Sequence, residues 1–188
     1  ITIQIRGNFD EGMELVKQNA QIDDAIRHAL AGEDFEAAAR LMELALPELR
    51  RSRREGMILA YLGALPPKLL RLRPVLCVHY VGVLLERGDL EAAEAWLRSA
   101  EQWLGKEGAD AAGAMVVVDD AEFRRLSGWI AIYDAGLALA RGDAPGTMKH
   151  ARRAVELVPD EDYLGRGAGT ALLGLAAWTA GDLNTAHR

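Results

Sequence analysis

The stretch RGDLEAAEAWLRSAEQWL, Arg87–Leu104, reads as a corner followed by a helix. Gly88 allows a left-handed backbone, which ends the helix before it. Asp89 is placed to accept hydrogen bonds from the unpaired N–H groups of the helix after it. Ala93, Leu97, Ala100 and Leu104 recur at three- and four-residue spacing and share one face. Three other segments repeat the pattern: AGEDFEAAARLMELAL from Ala31, RGDAPGTMKHARRAVELVP from Arg141 and AGDLNTAHR from Ala180. In three of the four an apolar residue follows the acid (Phe35, Leu90, Leu183), and a small residue comes next at the fixed place (Ala38, Ala93, Thr147, Ala186). A small side chain there lets two helix backbones approach closely. Each segment therefore reads as the bend and second arm of an antiparallel helical hairpin.

Gly88, Gly142 and Gly181 lie 54 and 39 residues apart, and Glu33-Asp34 lies 55 residues before Gly88. Tetratricopeptide repeats have a period of about 34 residues. The last spacing is a stretched repeat of that kind. The first long spacing is expected to hold an additional helix (Glu55–Leu65) and a connector over Pro66–Pro74. The second is expected to hold the loop Gly105–Gly113, GKEGADAAG, and a long following helix. The fold class expected is all-α, a superhelix of stacked antiparallel hairpins with a concave side. A plain helical bundle that happens to use Gly-Asp turns is the alternative.

The rest of the chain is also helical in pattern. Ile22, Ile26, Ala29 and Leu30 share a face, as do Leu41, Leu44 and Ala45, the set Leu76, Tyr80, Val83 and Leu84, and the pair Ile130 and Leu137. About ten helices are expected. Pro47, Pro66-Pro67, Pro74 and Pro159 stand where helices should stop or start. Only Ile1–Ile5 and Met115–Val118 look like strand, and both are short. No linker is rich enough to divide the chain. We expect an N-terminal segment with a leading helix over 1–18 and one repeat domain over 19–188. The chain opens on Ile1 and stops at Arg188 inside a helical pattern, so a piece of a longer protein is expected.

Composition narrows the function. Of the 188 residues 50% are hydrophobic and 27% charged, the balance of a core-forming chain. The longest uncharged apolar runs, such as Ala168–Ala180, are broken by Gly and too short to span a bilayer. A cytoplasmic protein without a membrane partner is expected. One cysteine, Cys77, rules out a disulfide scaffold and a cysteine-built zinc cage. The net charge of −6 argues against nucleic-acid binding by this chain alone.

The sequence carries few signatures of chemistry. There is no GxxxxGK[ST] and no recognisable DNA-reading helix-turn-helix. The glycines of GRGAGTALLG, Gly165–Gly174, read as close helix packing. His28, His79, His150 and His187 each stand alone, without metal-ligand spacing. Cys77 sits on an apolar helix and reads as an inert buried thiol. Asp119-Asp120 with Glu122 either attract a cation or, by the reading we favour, cap the following helix. No catalytic residue, metal or cofactor is expected, and the chain reads as not an enzyme.

Two groups are singled out for binding. Arg50, Arg51, Arg53 and Arg54, with Lys68, Arg71 and Arg73 near them in sequence, are the one basic concentration. They form either a solvated helix end or a contact patch for an acidic partner or neighbouring domain. Counting back from Gly142 and Gly181 places Trp129, Ile132 and Tyr133, and then Trp178 and Thr179, on the first helices of adjacent hairpins. They either line a concave ligand groove, where aromatic faces stack on flat or sugar ligands, or fill the core between repeats. Trp96 and Trp103, seven apart, read as packing or outer-surface residues.

Three runs carry a resemblance: Ile22–Leu49, Leu62–Glu101, and Ala151–Pro159 with Gly169–Leu183. Their most specific pieces are AIRHALA at Ala25–Ala31 and the LP…LL…RP…L run at Leu65–Leu76. The chain resembles the helical-repeat region of the large ATP-dependent LuxR-type transcriptional regulators, the MalT-like family, from about Asn19 onward. Gly105–Ala121 and Ile1–Asp10 match poorly. Glu33 stands where the family has its turn glycine, and Pro145-Gly146 opens a helix that is Ala-rich in the family. The resemblance implies an effector-sensing region that binds a small molecule or a partner domain in its groove. It also implies a parent protein that binds ATP and DNA through other domains. A protein-interaction scaffold without a small ligand is the other reading.

Overall fold

The computed structural model describes residues 20–104 and 115–181. The strand-like Ile1–Ile5, the leading segment 1–18, the Gly105–Gly113 loop, and Leu183, Ala186 and His187 lie outside the described residues. Those described form an all-helical protein. Its elements are α1 (20–31), α2 (Phe35–Arg51), α3 (Glu55–Ala64), α4 (Pro67–Arg71), α5 (Pro74–Glu86), α6 (Leu90–Leu104), α7 (Asp120–Ala140), α8 (Ala144–Leu157) and α9 (Tyr163–Thr179). Met115–Val118 is not a strand. It contributes one ladder-like bond, Val116 N–H to the Leu72 carbonyl at 2.9 Å.

The corners explain the helices. At Gly88 (φ 76°) the Gly N–H bonds the Leu85 carbonyl, and the Asp89 N–H bonds the Leu84 carbonyl. Gly142 (φ 75°) makes the same two bonds to Leu139 and Ala138. This pair of bonds satisfies carbonyls left open at a helix end and requires a left-handed residue at the bend. The acid that follows caps the next helix: Asp89 accepts from Ala92 N–H and Asp143 from Gly146 N–H. Gly181 (φ 77°) ends α9 in the same backbone state.

At the first corner the left-handed residue is Glu33 (φ 56°), not Gly32, and its bonds run to Leu30 and from Asp34 to Ala29. The turn keeps its geometry although a side chain occupies it. A fifth corner follows α2, with Arg53 (φ 52°) in the left-handed place and Arg54 N–H bonded to the Leu49 carbonyl. Pro47 was expected to bound a helix and instead lies inside α2. The helix runs past it, burying Leu46 and Leu49 and ending where the Ser52 N–H bonds the Glu48 carbonyl.

The chain divides into two compact units at Leu69/Leu70, within α4, where the sequence offers no linker. In the first unit α2 packs on α3. Ala38, Met42, Ala45 and Leu49 form the buried stripe of α2, while Leu44, expected on that face, is half exposed. In the second unit α5 and α6 form one hairpin and α7 and α8 another, and α9 packs on α8. The first arms are also neighbours: α7 lies between α5 and α9. The small residues do what their size allows, since Ala93 and Thr147 are fully buried at the helix contacts. The Gly165–Gly174 run is partly explained in the same way. A methyl on Gly169 would come within 3.1 Å of Val155, whereas Gly167 faces open space. No described helix is long and apolar enough to cross a membrane.

Candidate functional site

Trp129 and Tyr133, one helical turn apart on α7, meet with ring centroids 5.8 Å apart. Trp129 and Ile132 are buried and Tyr133 is half-buried. The Tyr133 hydroxyl lies against the α5 backbone, so a methyl added at Gly82 would sit 2.5 Å from it. Tyr133 therefore occupies the contact between the first arms of two hairpins, with Trp129 beside it on α7. Trp178 and Thr179 near the end of α9 are exposed, Trp178 by 65%. The structure buries Trp129 and Ile132 and half-buries Tyr133 on α7, and it leaves Trp178 and Thr179 exposed on α9.

The basic run falls at the corner joining α2 to α3. Arg51, Arg53 and Arg54 are exposed and Arg50 is half-buried. Arg51 pairs with Glu48 at 2.6 Å. Arg73, near the run in sequence, is buried at the start of α5, and the Arg71 guanidinium lies 5.3 Å over the Trp96 ring. Trp96 also meets Tyr80 edge-on at 5.4 Å, and Trp103 Nε1 donates to the Arg71 carbonyl at 2.8 Å. Trp96 thus packs between Tyr80 of α5 and Arg71 of α4, and Trp103 ties the end of α6 to the end of α4.

Beside the basic corner, α1, α2 and α3 enclose a hollow with about 300 Å³ of empty space, part of it open to solvent. Ile22, Ile26, Ala45 and Leu49 form its apolar wall. Tyr61 is buried in it and donates its hydroxyl to Asp23, which also pairs with Arg27 at 3.2 Å. Ser52 and Arg54 stand at its rim. No spacing in the sequence announces this hollow. It exists because the left-handed Arg53 turns α3 back beside α1 and α2.

Two further pairs escaped the sequence. His79 Nε2 of α5 lies 3.6 Å from Glu122 of α7, both buried, and Glu122 also takes Arg125 Nη1 at 3.0 Å. His150 Nδ1 of α8 lies 3.6 Å from Asp134 of α7. Burial pushes the Asp134 carboxyl above its ordinary range and Glu101 adds to this, while His150 and Arg153 pull it back. These partners are 43 and 16 residues apart in the chain, beyond any motif spacing. Asp119 accepts from Ala121 and Glu122 N–H, so it caps α7. Cys77 is buried, donates to the Leu70 carbonyl at 3.0 Å, and burial pushes its thiol up to about 12. It is inert at neutral pH. Among the described residues no group of three His, Cys, Asp or Glu side chains is arranged to hold a metal ion. No protein-family model, curated protein or solved structure matches the chain.

Proposed function

We propose that this chain is the effector-sensing or protein-interaction repeat region of a MalT-like, LuxR-type ATP-dependent transcriptional regulator. The observation that carries the reading is the order of packing in the second unit. Hairpins closed by the same glycine–acid corner stand side by side, first arm against first arm. The runs at Ala25–Ala31 and Leu65–Leu76 support the family. An occupant that prefers one arrangement of the arms shifts the regulator between resting and active states by its difference in affinity for the two. The chain itself neither hydrolyses ATP nor reads operator DNA.

The burial of Trp129 and Ile132 favours a second reading, a scaffold that binds a partner domain and no small molecule. Tryptophan fluorescence separates the two. Titration with maltose, maltotriose or adenine should give a saturable change that is lost in Trp178→Ala if a small effector binds. A flat response to all three, with unchanged helicity, leaves the scaffold reading. A specific shift of duplex operator DNA by the isolated chain would overturn both.

A further inference from the structure

We propose that the outward stripe of α9 pairs with the same stripe of a second copy of this chain, the two helices lying antiparallel across a two-fold axis at Ala171. The proposal stands on the second unit alone and does not rest on the effector reading. α9 turns Gly165, Gly169, Ala176 and Ala177 inward, where Gly165 meets Val158 and Gly169 meets Val155. On its other side Leu164, Gly167, Ala171, Leu175 and Trp178 recur at three- and four-residue spacing, and all five are exposed. A contiguous exposed run of large apolar side chains marks a contact surface. It is not the seat of a second arm. In the α5–α6 and α7–α8 hairpins that arm meets the residue eight places before the corner glycine: Trp96 packs on Tyr80, and His150 lies by Asp134. The equivalent on α9 is Leu173, two residues and so about 200° around the helix from Ala171. Leu175, six places before its corner, corresponds to Gly82, where α5 takes Tyr133 of α7. The face is thus one that packs on a neighbouring helix.

The stripe is symmetric about Ala171, which points to a second copy as the occupant. Gly167 and Leu175 stand four residues to either side of it, and Leu164 and Trp178 seven. In an antiparallel pair centred there, Ala171 meets its own copy, which lets the helix axes close. Leu175 of each chain comes over Gly167 of the other, where an added methyl meets nothing within 4 Å. Leu164 comes beside Trp178 at both ends. Such a patch is complementary to itself, as a two-fold contact requires. Charge agrees. The chain carries a net −6, so copies repel on approach. α9 holds a single charged residue, Arg166, which pairs with Asp160 at 2.8 Å, so its stripe adds no repulsion of its own. One helix of 17 residues, about 25 Å long, presents less than the roughly 800 Å² per partner of a standard interface. The pair is therefore weak and reversible, dissociating at about 10–100 µM.

Sedimentation velocity of the full chain from about 5 µM to 1 mM tests this. A reversible shift from monomer to dimer, and no further, is expected. Ala171→Glu sets two like charges at the axis and should weaken the dimer about tenfold or more. The variant keeps the monomer folded, because Ala171 is exposed and Glu is a good helix former, which circular dichroism checks. Ala171→Cys reads the register. Two thiols at the axis come within disulfide reach, and the buried Cys77 does not compete. Under oxidised glutathione, Ala171→Cys should link into dimers about tenfold faster than Thr170→Cys, whose site is exposed but off the stripe. Four results overturn the proposal. A monomer at every concentration means that the face stays open or that another part of the chain covers it. A dimer indifferent to Ala171→Glu lies on another surface. Growth past the dimer means an open head-to-tail contact. Equal linking of the two cysteine variants means that Ala171 is not on the axis.

Discussion

The two units bend their chain at corners of one design but with different residues. In the second unit the left-handed place belongs to Gly88, Gly142 and Gly181; in the first it belongs to Glu33 and Arg53. The hydrogen bonds are the same pair in each corner for which both are described. The helix end, with its open carbonyls, therefore dictates the backbone, and the residue only sets what that backbone costs. A side chain in the left-handed region costs roughly 1–2 kcal/mol, a cost that glycine avoids. The first unit carries a backbone penalty at both corners, which glycine spares the second.

The test with the largest expected effect strikes the second unit's tight contacts. Ala93→Leu forces three extra carbons into a fully buried crossing and should destabilise by about 3 kcal/mol in urea unfolding. A cost near zero would mean that the small residues are incidental and the hairpins only loosely apposed.

Smaller and opposite in sign are Glu33→Gly and Arg53→Gly. Each removes the left-handed penalty but gives the unfolded chain more freedom, for a net gain of about 0.5–1 kcal/mol. The contrasting change, Gly142→Val, should lose about 1–2 kcal/mol. If Glu33→Gly destabilises, the side chain contributes something the corner geometry does not reveal.

The smallest effect sharpens the contrast in kind. The folded Asp134 carboxyl titrates above its ordinary value of 3.8. Its ionisation therefore counts against the folded state at neutral pH, and the penalty fades as pH falls through the raised value toward the ordinary one. Asp134→Asn should raise the melting temperature at pH 7 and lose that advantage below about pH 4. A gain that is equal at both pH values would point to packing rather than charge.

Much of the second unit was legible because its signals are local. Gly88-Asp89 and Gly142-Asp143 each state the end of one helix and the cap of the next within two residues. Ala93 and Thr147, three places on from the apolar or small residue after the acid, state where helices touch. The first unit was harder. Glu33 and Arg53 adopt a conformation their residue types disfavour, and Pro47 sits in mid-helix against its own preference. At Pro47 the burial of Leu46 and Leu49 on either side outweighs a local cost of about 3 kcal/mol.

The sequence by itself determined the helical class, the glycine corners, the caps at Asp89, Asp119 and Asp143, and the inertness of Cys77. Each follows from residues within one or two turns of each other or from the residues flanking a single side chain. The tertiary structure alone decided that Tyr133 lies on Gly82, that His79 finds Glu122 and that a hollow opens beside Arg54. Those facts depend on which helix faces are pressed together, and burial over many side chains sets that choice, not any spacing along the chain.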